Sequence, residues 1–560
     1  FSVKEIYDVL ETGEILYLET SNFNSSITIR ANRLYDGGSL GLNIQGQGMA
    51  AYVWDSGNVR GTHFEFPGNK IVNQNSATLS DHATHVMGTI VGEGVVDISL
   101  RGIAFDASGV AYDWSNDYAE MISEVLTGPM LVSNHSYWIS SSPNFSSWML
   151  GAYDSRARDF DEIAFLAPHY LAVTAAGNDR DDFSNSVIGP HLTSKNGYDL
   201  IRGMQNAKNF LTVGAVNQVL NYISPSSVVM SGFSSWGPTD DGRIKPEVVA
   251  KGVSVRSATS ESNSSWASLQ GTSMASPAVA GSALLLQQYH NELFGNYMLA
   301  ATLKGLIIHS ADEAGIANGP DYQFGYGLVN TERAAEILTS TSNNTAIVEE
   351  NTLNNNQSYS KTITASGNEA LMVSISWTER PATANTGVND PSTLYLINDL
   401  DVRVYKDGTE YFPWTLNPTI PSDPAVNTTD NFRDNYEKIE IPNPNGTYEI
   451  VISHKGMLVG GSQNYSLIVS APNMNLSVKN LEKEEFGIRM FPNPTQGLLN
   501  FETVDNLIIN KVEIYDTIGK RVLSSQINNN SVDISMLTSG VYFVKIYSGD
   551  SQITKKIIKK

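Results

Sequence analysis

Three short segments place residues able to support nucleophilic catalysis: Asp55 in WDSGN (54–58), His82 and His85 in DHATHVMGT (81–89), and Ser273 in GTSMASPAVAG (271–281). A serine hydroxyl is a poor nucleophile at neutral pH. An imidazole must take its proton, and a carboxylate must fix the tautomer of that imidazole and stabilise its charged form.

The order along the chain, Asp then His then Ser, separates the known solutions. α/β-Hydrolases run Ser, acid, His and carry a G-x-S-x-G elbow, whereas chymotrypsin-like enzymes run His, Asp, Ser. Here the Ser stands in G-T-S-M-A. The three segments D-S-G, H-x-T-H-V-x-G-T and G-T-S-M-A-S-P resemble the signatures of the subtilisin-like serine peptidases, the subtilases. The resemblance assigns the base to His82 and makes His85 a structural neighbour on the helix that starts there. Residues three apart sit on adjacent parts of a helical face, and only one imidazole can meet both Asp55 and Ser273. A zinc reading of H-x-x-H lacks the third protein ligand that a catalytic site needs. Ala83 stands where the family usually has Gly, a change of one methyl.

The run LAVTAAGND (171–179) reads as a buried apolar strand. Taken alone, its G-N-D end is a turn. The subtilase resemblance makes Asn178 the side-chain donor to a developing oxyanion, with the backbone N–H of Ser273 as second donor, and assigns Ala176 and Gly177 to substrate binding. It also lays Ser136, Tyr137 and Trp138 along the substrate's backbone as an edge, a mode in which main-chain hydrogen bonds give affinity and pockets give selectivity. Trp138 stands near a usual Gly and either narrows a specificity pocket or is an ordinary core aromatic. AKNFLTVGAV (207–216) and FSSWGPTDDGRIKPEVVAKG (233–252) resemble segments of larger bacterial members that carry an extra β-domain. Lys251 replaces a common Pro, and a local loop change is expected.

At 560 residues the chain is long enough for about three domains. Residues 1–40 read as a lead or propeptide remnant, with a short helical pattern around KEIYDVLE. From 41 to 344, alternating apolar strands and helices predict an α/β domain: a parallel sheet with helices on both faces. His82 and Ser273 would open two of those helices. After Gly271, the run ASPAVAGSALLLQQY is apolar with small residues that allow close packing. A helix N-terminus there favours negative charge beside the nucleophile, and Pro277 is tolerable because it lies in the first turn or so.

Residues 345–472 show short strands (ALMVSISW, LYLIN, DVRVY, YEKIEI, YEIVIS, YSLIVS) between Pro, Asn, Asp and Gly turns, which reads as an antiparallel β-sandwich. It resembles the jelly-roll domain that follows the catalytic domain in some bacterial subtilases. Asn398, Asp399 and Asp401 in NDLDV, with Asp434 in RDNYE, supply hard oxygen ligands and make a candidate calcium site; solvated turn acids are the alternative. The resemblance implies calcium in the catalytic domain as well. A linker is expected at 473–486. The final 487–560, with MFPNPTQG, KVEIYDTIGKRVLSS and VDISMLTSGVYFVKIYSG, resembles the C-terminal sorting domain of the type IX secretion system, a small β-sandwich that takes cargo across the outer membrane of Bacteroidetes-type bacteria; a generic Ig-like adhesive module is the alternative. This module holds nine Lys and Arg against six Asp and Glu, a net +3, so the remainder carries −25 of the total −22.

That acidity argues against nucleic-acid and anionic-membrane partners and is compatible with bound calcium. The chain has no Cys, which excludes a disulfide scaffold and thiol chemistry. No apolar run reaches about 18 residues, the length of a membrane span. Phe1 is preceded by no charged region or apolar stretch, so a signal peptide is expected to be absent or trimmed. The expectation is a secreted, monomeric serine endopeptidase acting on proteins or peptides, with no organic cofactor, that meets the outer-membrane secretion machinery through 487–560. The alternative is a surface binding protein that keeps a subtilase fold.

Overall fold

A computed structural model describes all residues except 1–4, 10–14, 19–22, 129, 142–144, 477–487, 504–507, 518, 528, 529, 549 and 550. The chain divides into two compact units, Phe1–Leu476 and Ser477–Lys560.

In the first unit seven strands form a parallel sheet: β1 (Ala50–Asp55), β2 (Ile71–Asn73), β3 (Ser108–Asp113), β4 (Val132–His135), β5 (Leu171–Ala175), β6 (Leu211–Val216) and β7 (Val248–Lys251), in the order β2-β3-β1-β4-β5-β6-β7. Strands covered on both faces read as continuous apolar runs, and every residue of β5 and β6 is buried. Alternate residues of β1 serve opposite faces. Ala51 and Val53 pack with α1 (Asp81–Val91) and α4 (Thr272–Phe294), while Tyr52 and Trp54 pack with α2 (Asp117–Thr127) and α3 (Ser155–Leu166). The expected doubly covered α/β sheet is thus present.

Helix α4 is buried from Thr272 through His290. A helix apolar all round belongs in an interior. Its small residues permit close approach: a Cβ on Gly281 would lie 2.5 Å from the Ile103 Cβ. The strand order reverses at β1, whose neighbours are β3 and β4. In open α/β sheets, ligands bind beyond the carboxyl ends of strands at such a switch point, and Asp55 is the last residue of β1.

Residues 347–476 form two antiparallel sheets. One orders Ile347–Asn354, Ser462–Ser470, Leu371–Ser376 and Tyr436–Ile441; the other orders Thr409–Tyr411, Leu400–Lys406, Asn445–His454, Tyr359–Ser366 and Asn475–Leu476. Three expectations need correction. LYLIN (394–398) is not a strand, because the backbone N–H groups of Ile397 (3.0 Å) and Asn398 (2.8 Å) are spent on the Glu379 carboxylate instead of a ladder. Residues 475–476 pair with Ile363 and Thr364, so the sandwich runs past the expected linker start; the rest of that linker, 477–486, lies outside the described residues. The KEIYDVLE pattern is not helical: Glu5–Val9 pairs antiparallel with Ile15–Leu18, in keeping with the strand preference of Ile, Tyr and Val.

The change of architecture near residue 345 is not a break in packing. Helix α5 (Ala300–Ser310) lies against the sandwich, with Thr302 Oγ1 2.7 Å from Ser466 Oγ, and with His309 bridging Ser374 Oγ (2.7 Å) and Ser470 Oγ (2.9 Å). One hydrophobic core runs through both layers.

The second unit is a small two-sheet sandwich: Ile488–Phe491, Leu498–Thr503 and Ser531–Asp533 in one sheet, and Arg521–Gln526, Lys511–Tyr515, Gly540–Ser548 and Ser551–Lys559 in the other. It has its own core, including Leu499, Phe501, Val512, Ile514 and Val544.

Candidate active site

Asp55 is fully buried at the end of β1, and its Oδ1 accepts three hydrogen bonds: from Ser56 N–H (2.7 Å), Ser56 Oγ (3.0 Å) and His82 Nδ1 (2.7 Å). His82 is the second residue of α1. The N-cap of that helix, Ser80, accepts from the Ala83 N–H at 3.1 Å, and its hydroxyl lies 2.7 Å from Ser56 Oγ. A directional chain results, from Ala83 N–H to the Ser80 hydroxyl, the Ser56 hydroxyl and Asp55. The cap therefore fixes the start of α1 relative to the carboxylate. Neither Ser56 nor Ser80 was singled out in the sequence. The signal was available: Ser56 is the middle residue of D-S-G, and a Ser one position before an Asp-opened helix is an N-cap.

With Nδ1–H donating to Asp55, neutral His82 presents Nε2 as an acceptor. Burial lowers the imidazole pKa, but the charge and hydrogen bond of Asp55 outweigh it and hold His82 above the ordinary 6.5. His85 differs in every respect. It is fully buried, its Nε2 bonds the carbonyls of Val255 (3.0 Å) and Ala267 (3.3 Å), and burial pushes its pKa down to about 4. It ties α1 to the paired strands Val255–Ala258 and Trp266–Leu269.

Ser273 is the second residue of α4, beyond Gly271, whose φ of 151° only glycine adopts readily. Pro277 stands four residues after Ser273 and has no N–H, so the Ser273 carbonyl lacks its helical partner. The Ser136 hydroxyl fills the gap at 3.0 Å, and the Ser273 hydroxyl in turn donates to the Ser136 carbonyl at 3.1 Å. This reciprocal pair joins α4 to the end of β4. Asn134 reinforces it, donating to Ser136 Oγ (2.9 Å) and accepting from Ser276 Oγ (2.7 Å). Among the described residues no hydrogen bond links Ser273 to His82.

Asn178 follows β5. Its Oδ1 accepts from the Thr272 N–H (2.8 Å) and the Thr272 hydroxyl (2.9 Å). A backbone N–H can only donate, so the amide orientation is fixed and, among the described residues, Nδ2 is left as a free donor; a Cβ built on Gly271 would lie 3.1 Å from it and 3.6 Å from the Ser273 N. The next residue, Asp179, is anchored by Arg202 at 3.1 Å.

The other expected substrate contacts divide. Ser136 lies against the nucleophile, as above. The Tyr137 side chain turns into the α2 layer, where its hydroxyl donates to Asp117 (2.7 Å), and its carbonyl accepts from Gln205 (2.7 Å). Trp138 is half-buried and belongs to none of the hydrophobic clusters, unlike an ordinary core aromatic. Ala176 N–H bonds the Val213 carbonyl (3.0 Å), while Gly177 donates to Thr272 Oγ1 (3.1 Å) and accepts from Ser235 N–H (2.9 Å). These two positions hold Asn178 in place, with the Gly177 polar groups spent internally.

The four residues expected to bind calcium do not converge. Asn398 is spent on Val459 and Gln463, and Asp434 accepts from Ile244 N–H (2.8 Å) and Asn431 (3.2 Å). Asp401 instead groups with Asp430 and Glu437, a set that could hold a cation. Arg403 contacts all three, and Lys455 contacts Asp399, Asp401 and Asp430. Two fixed cations thus already serve this cluster. Lys251, buried at the end of β7, donates to the Ser254 carbonyl at 2.9 Å, and burial pushes its pKa down to about 7.

Residues 40–327 match the subtilase family, and residues 489–560 match the secretion system C-terminal sorting domain. The first match spans half of the chain, and the chain belongs to the subtilase family. Its relatives include the C5a peptidase of Streptococcus pyogenes, 36% identical over 137 residues (23% of this chain, 11% of that protein). The cuticle-degrading serine protease of Arthrobotrys oligospora is 29% identical over 252 residues (42% and 51%), and subtilisin-like protease 2 of Pseudogymnoascus destructans is 31% identical over 248 residues (43% and 52%). The chain thus spans about half of these last two relatives and about a tenth of the first. The sorting domain marks a secreted or cell-surface protein. Among the described residues no helix is long and apolar enough to cross a membrane.

Proposed function

We propose that the chain is a secreted serine endopeptidase that cleaves protein substrates through an acyl-enzyme on Ser273. The observation that carries this reading is the 2.7 Å bond between His82 Nδ1 and Asp55 Oδ1, which commits Nε2 to accept a proton. The Ser273 hydroxyl turns from the Ser136 carbonyl toward His82 Nε2 and attacks the scissile carbonyl carbon as its proton passes to the imidazole. Asp55 stabilises the imidazolium. The oxyanion of the tetrahedral intermediate is met by Asn178 Nδ2 and the Ser273 N–H. As the intermediate collapses, the C–N bond breaks and His82 returns the proton to the leaving amine; water then repeats the sequence on the acyl-enzyme. Hydrolysis of casein that a serine-directed fluorophosphonate abolishes is the expected result, and casein turnover that resists the reagent would exclude the mechanism.

The Thr272 clamp makes a sharper expectation for Asn178. Asn178→Ala removes a donor aimed at charge that exists only in the transition state, so kcat falls on the order of 10²- to 10³-fold with KM little changed; that range comes from the corresponding amide of subtilisin itself. A rise in KM at constant kcat would place Asn178 in ground-state binding instead.

Residues 487–560 are proposed to direct export through the outer-membrane secretion machinery. Deleting them should leave activity inside the cell and remove it from the medium. Undiminished activity in the medium would sink that role.

A further inference from the structure

Away from the candidate active site, Asp199, Asp240 and Asp390 bring three carboxylate oxygens within 4.8 Å of one another. They line a cavity of about 600 Å³ between the parallel-sheet layer and the loop that carries Asp390. Asp199 is 5% exposed, yet its Oδ1 has no hydrogen-bond partner, and neither oxygen of Asp240 has one. The unpartnered oxygens point to one place: a Cβ built on Gly151 would collide with both Asp199 Oδ1 and Asp240 Oδ1. Gly151, at φ 74°, leaves that space open.

The charge there is not balanced. Lys195 contacts Asp390 Oδ2 (2.7 Å) and Asp199 Oδ2 (3.3 Å), and His191 Nε2 lies 3.5 Å from the same Asp199 oxygen. The Lys195 ammonium reaches two of the three carboxylates, and among the described residues neither oxygen of Asp240 has a hydrogen-bond partner. Burial, then the charges of Asp199, Asp390 and Asp241, push the Asp240 carboxyl up to about 9. Buried carboxylate oxygens without donors are costly, and oxygens on opposite sides of a calcium ion, each at about 2.4 Å, lie about 4.8 Å apart.

We infer that Asp199, Asp240 and Asp390 form a structural calcium site that pins the Asp390 loop to the parallel-sheet domain. The cation replaces the donors that Asp199 Oδ1 and both Asp240 oxygens lack, and the open cavity gives it water to complete six to eight ligands. The second acidic group, around Asp401, has two fixed cations in contact with it and less need of a metal. The site stands apart from the proteolytic reading and can fail without it.

The test uses the full chain carrying Ser273→Ala to prevent self-digestion, stripped with EDTA and titrated with calcium chloride while heat of binding and Tm are recorded. Calcium should raise Tm, and magnesium at equal concentration should raise it less. Asp240→Asn should lose one calcium per chain and most of that rise, yet melt no lower than its parent in EDTA, because a carboxylate repulsion is gone. Asp390→Asn, at an exposed position, should lose the same calcium and carries the test if Asp240→Asn does not fold. Asp401→Asn should keep it. Calcium stoichiometry and Tm gain unchanged in the Asp240 or Asp390 variant would overturn the site, as would equal effects of the two metals.

Discussion

Ser273→Ala should lower kcat on casein on the order of 10⁶-fold, the magnitude found for the same change in subtilisin. No other group replaces the hydroxyl at the start of α4: the Ser136 hydroxyl donates to the Ser273 carbonyl, and the Thr272 hydroxyl is held on Asn178. The fold should tolerate the change. The variant loses one hydrogen bond, from Ser273 Oγ to the Ser136 carbonyl, worth about 1 kcal/mol, while the bond from Ser136 Oγ to the Ser273 carbonyl stays. Because nucleophile and base act as one unit, adding His82→Ala should cost little more. A fall of only tenfold, or a double variant far worse than the single, would place the chemistry elsewhere. The measurements are kcat and KM on casein, with Tm to show that the variant is folded.

Asp55→Asn should lower kcat by about 10⁴-fold, the size of this effect in a serine-protease triad. An amide at position 55 either donates to Nδ1, which forces the proton onto Nε2, or accepts from Nδ1–H without the charge that stabilises the imidazolium, so Nε2 is blocked or less basic. The same change should move the pH profile. In the parent, Asp55 holds His82 above 6.5 against the downward pull of burial. A base must be neutral to act, so kcat/KM should rise with pH through a midpoint above 6.5. In the variant the charge is gone and burial is unopposed, so the residual activity should titrate at a lower midpoint. An acid limb that stays in place after the substitution would mean that another group controls it.

Asp55, His82 and Ser273 stand out as candidates in the sequence because each stands in a short, ordered motif whose chemistry has few alternatives, whereas Asn178 stands in a G-N-D triplet that alone reads as a turn and becomes a candidate only through the resemblance. The parallel sheet was legible because a strand buried on both faces has to be written as an unbroken apolar run, as in LAVTA of β5. What supports the triad was harder to read. Ser56, Ser80 and Thr272 act through single hydroxyls, and serine or threonine at a loop end is too common to signal such a role. The calcium residues fail for a related reason. NDLDV clusters oxygens in sequence, but Arg403, the residue next to it on the same strand, pairs with Asp401, and Lys455, brought in by the fold, meets Asp399 and Asp401. Asp199, Asp240 and Asp390 are spread over almost two hundred positions and converge only through the tertiary structure. The first two sandwich strands were missed because Ile347–Asn354 and Tyr359–Ser366 carry many polar residues on an exposed face. The N-terminal segment differs from its helical pattern because a window of eight residues cannot separate a helical stripe from a hairpin strand.

The most direct measurement is the site of covalent labelling. The full chain is treated with a fluorophosphonate, digested, and mapped by mass spectrometry, with Asp55→Asn and Ser273→Ala treated alongside. The expected result is one stoichiometric adduct on Ser273, formed far more slowly in Asp55→Asn and absent in Ser273→Ala. An adduct on another residue, or labelling of Ser273 at the same rate without Asp55, would contradict a nucleophile activated through His82.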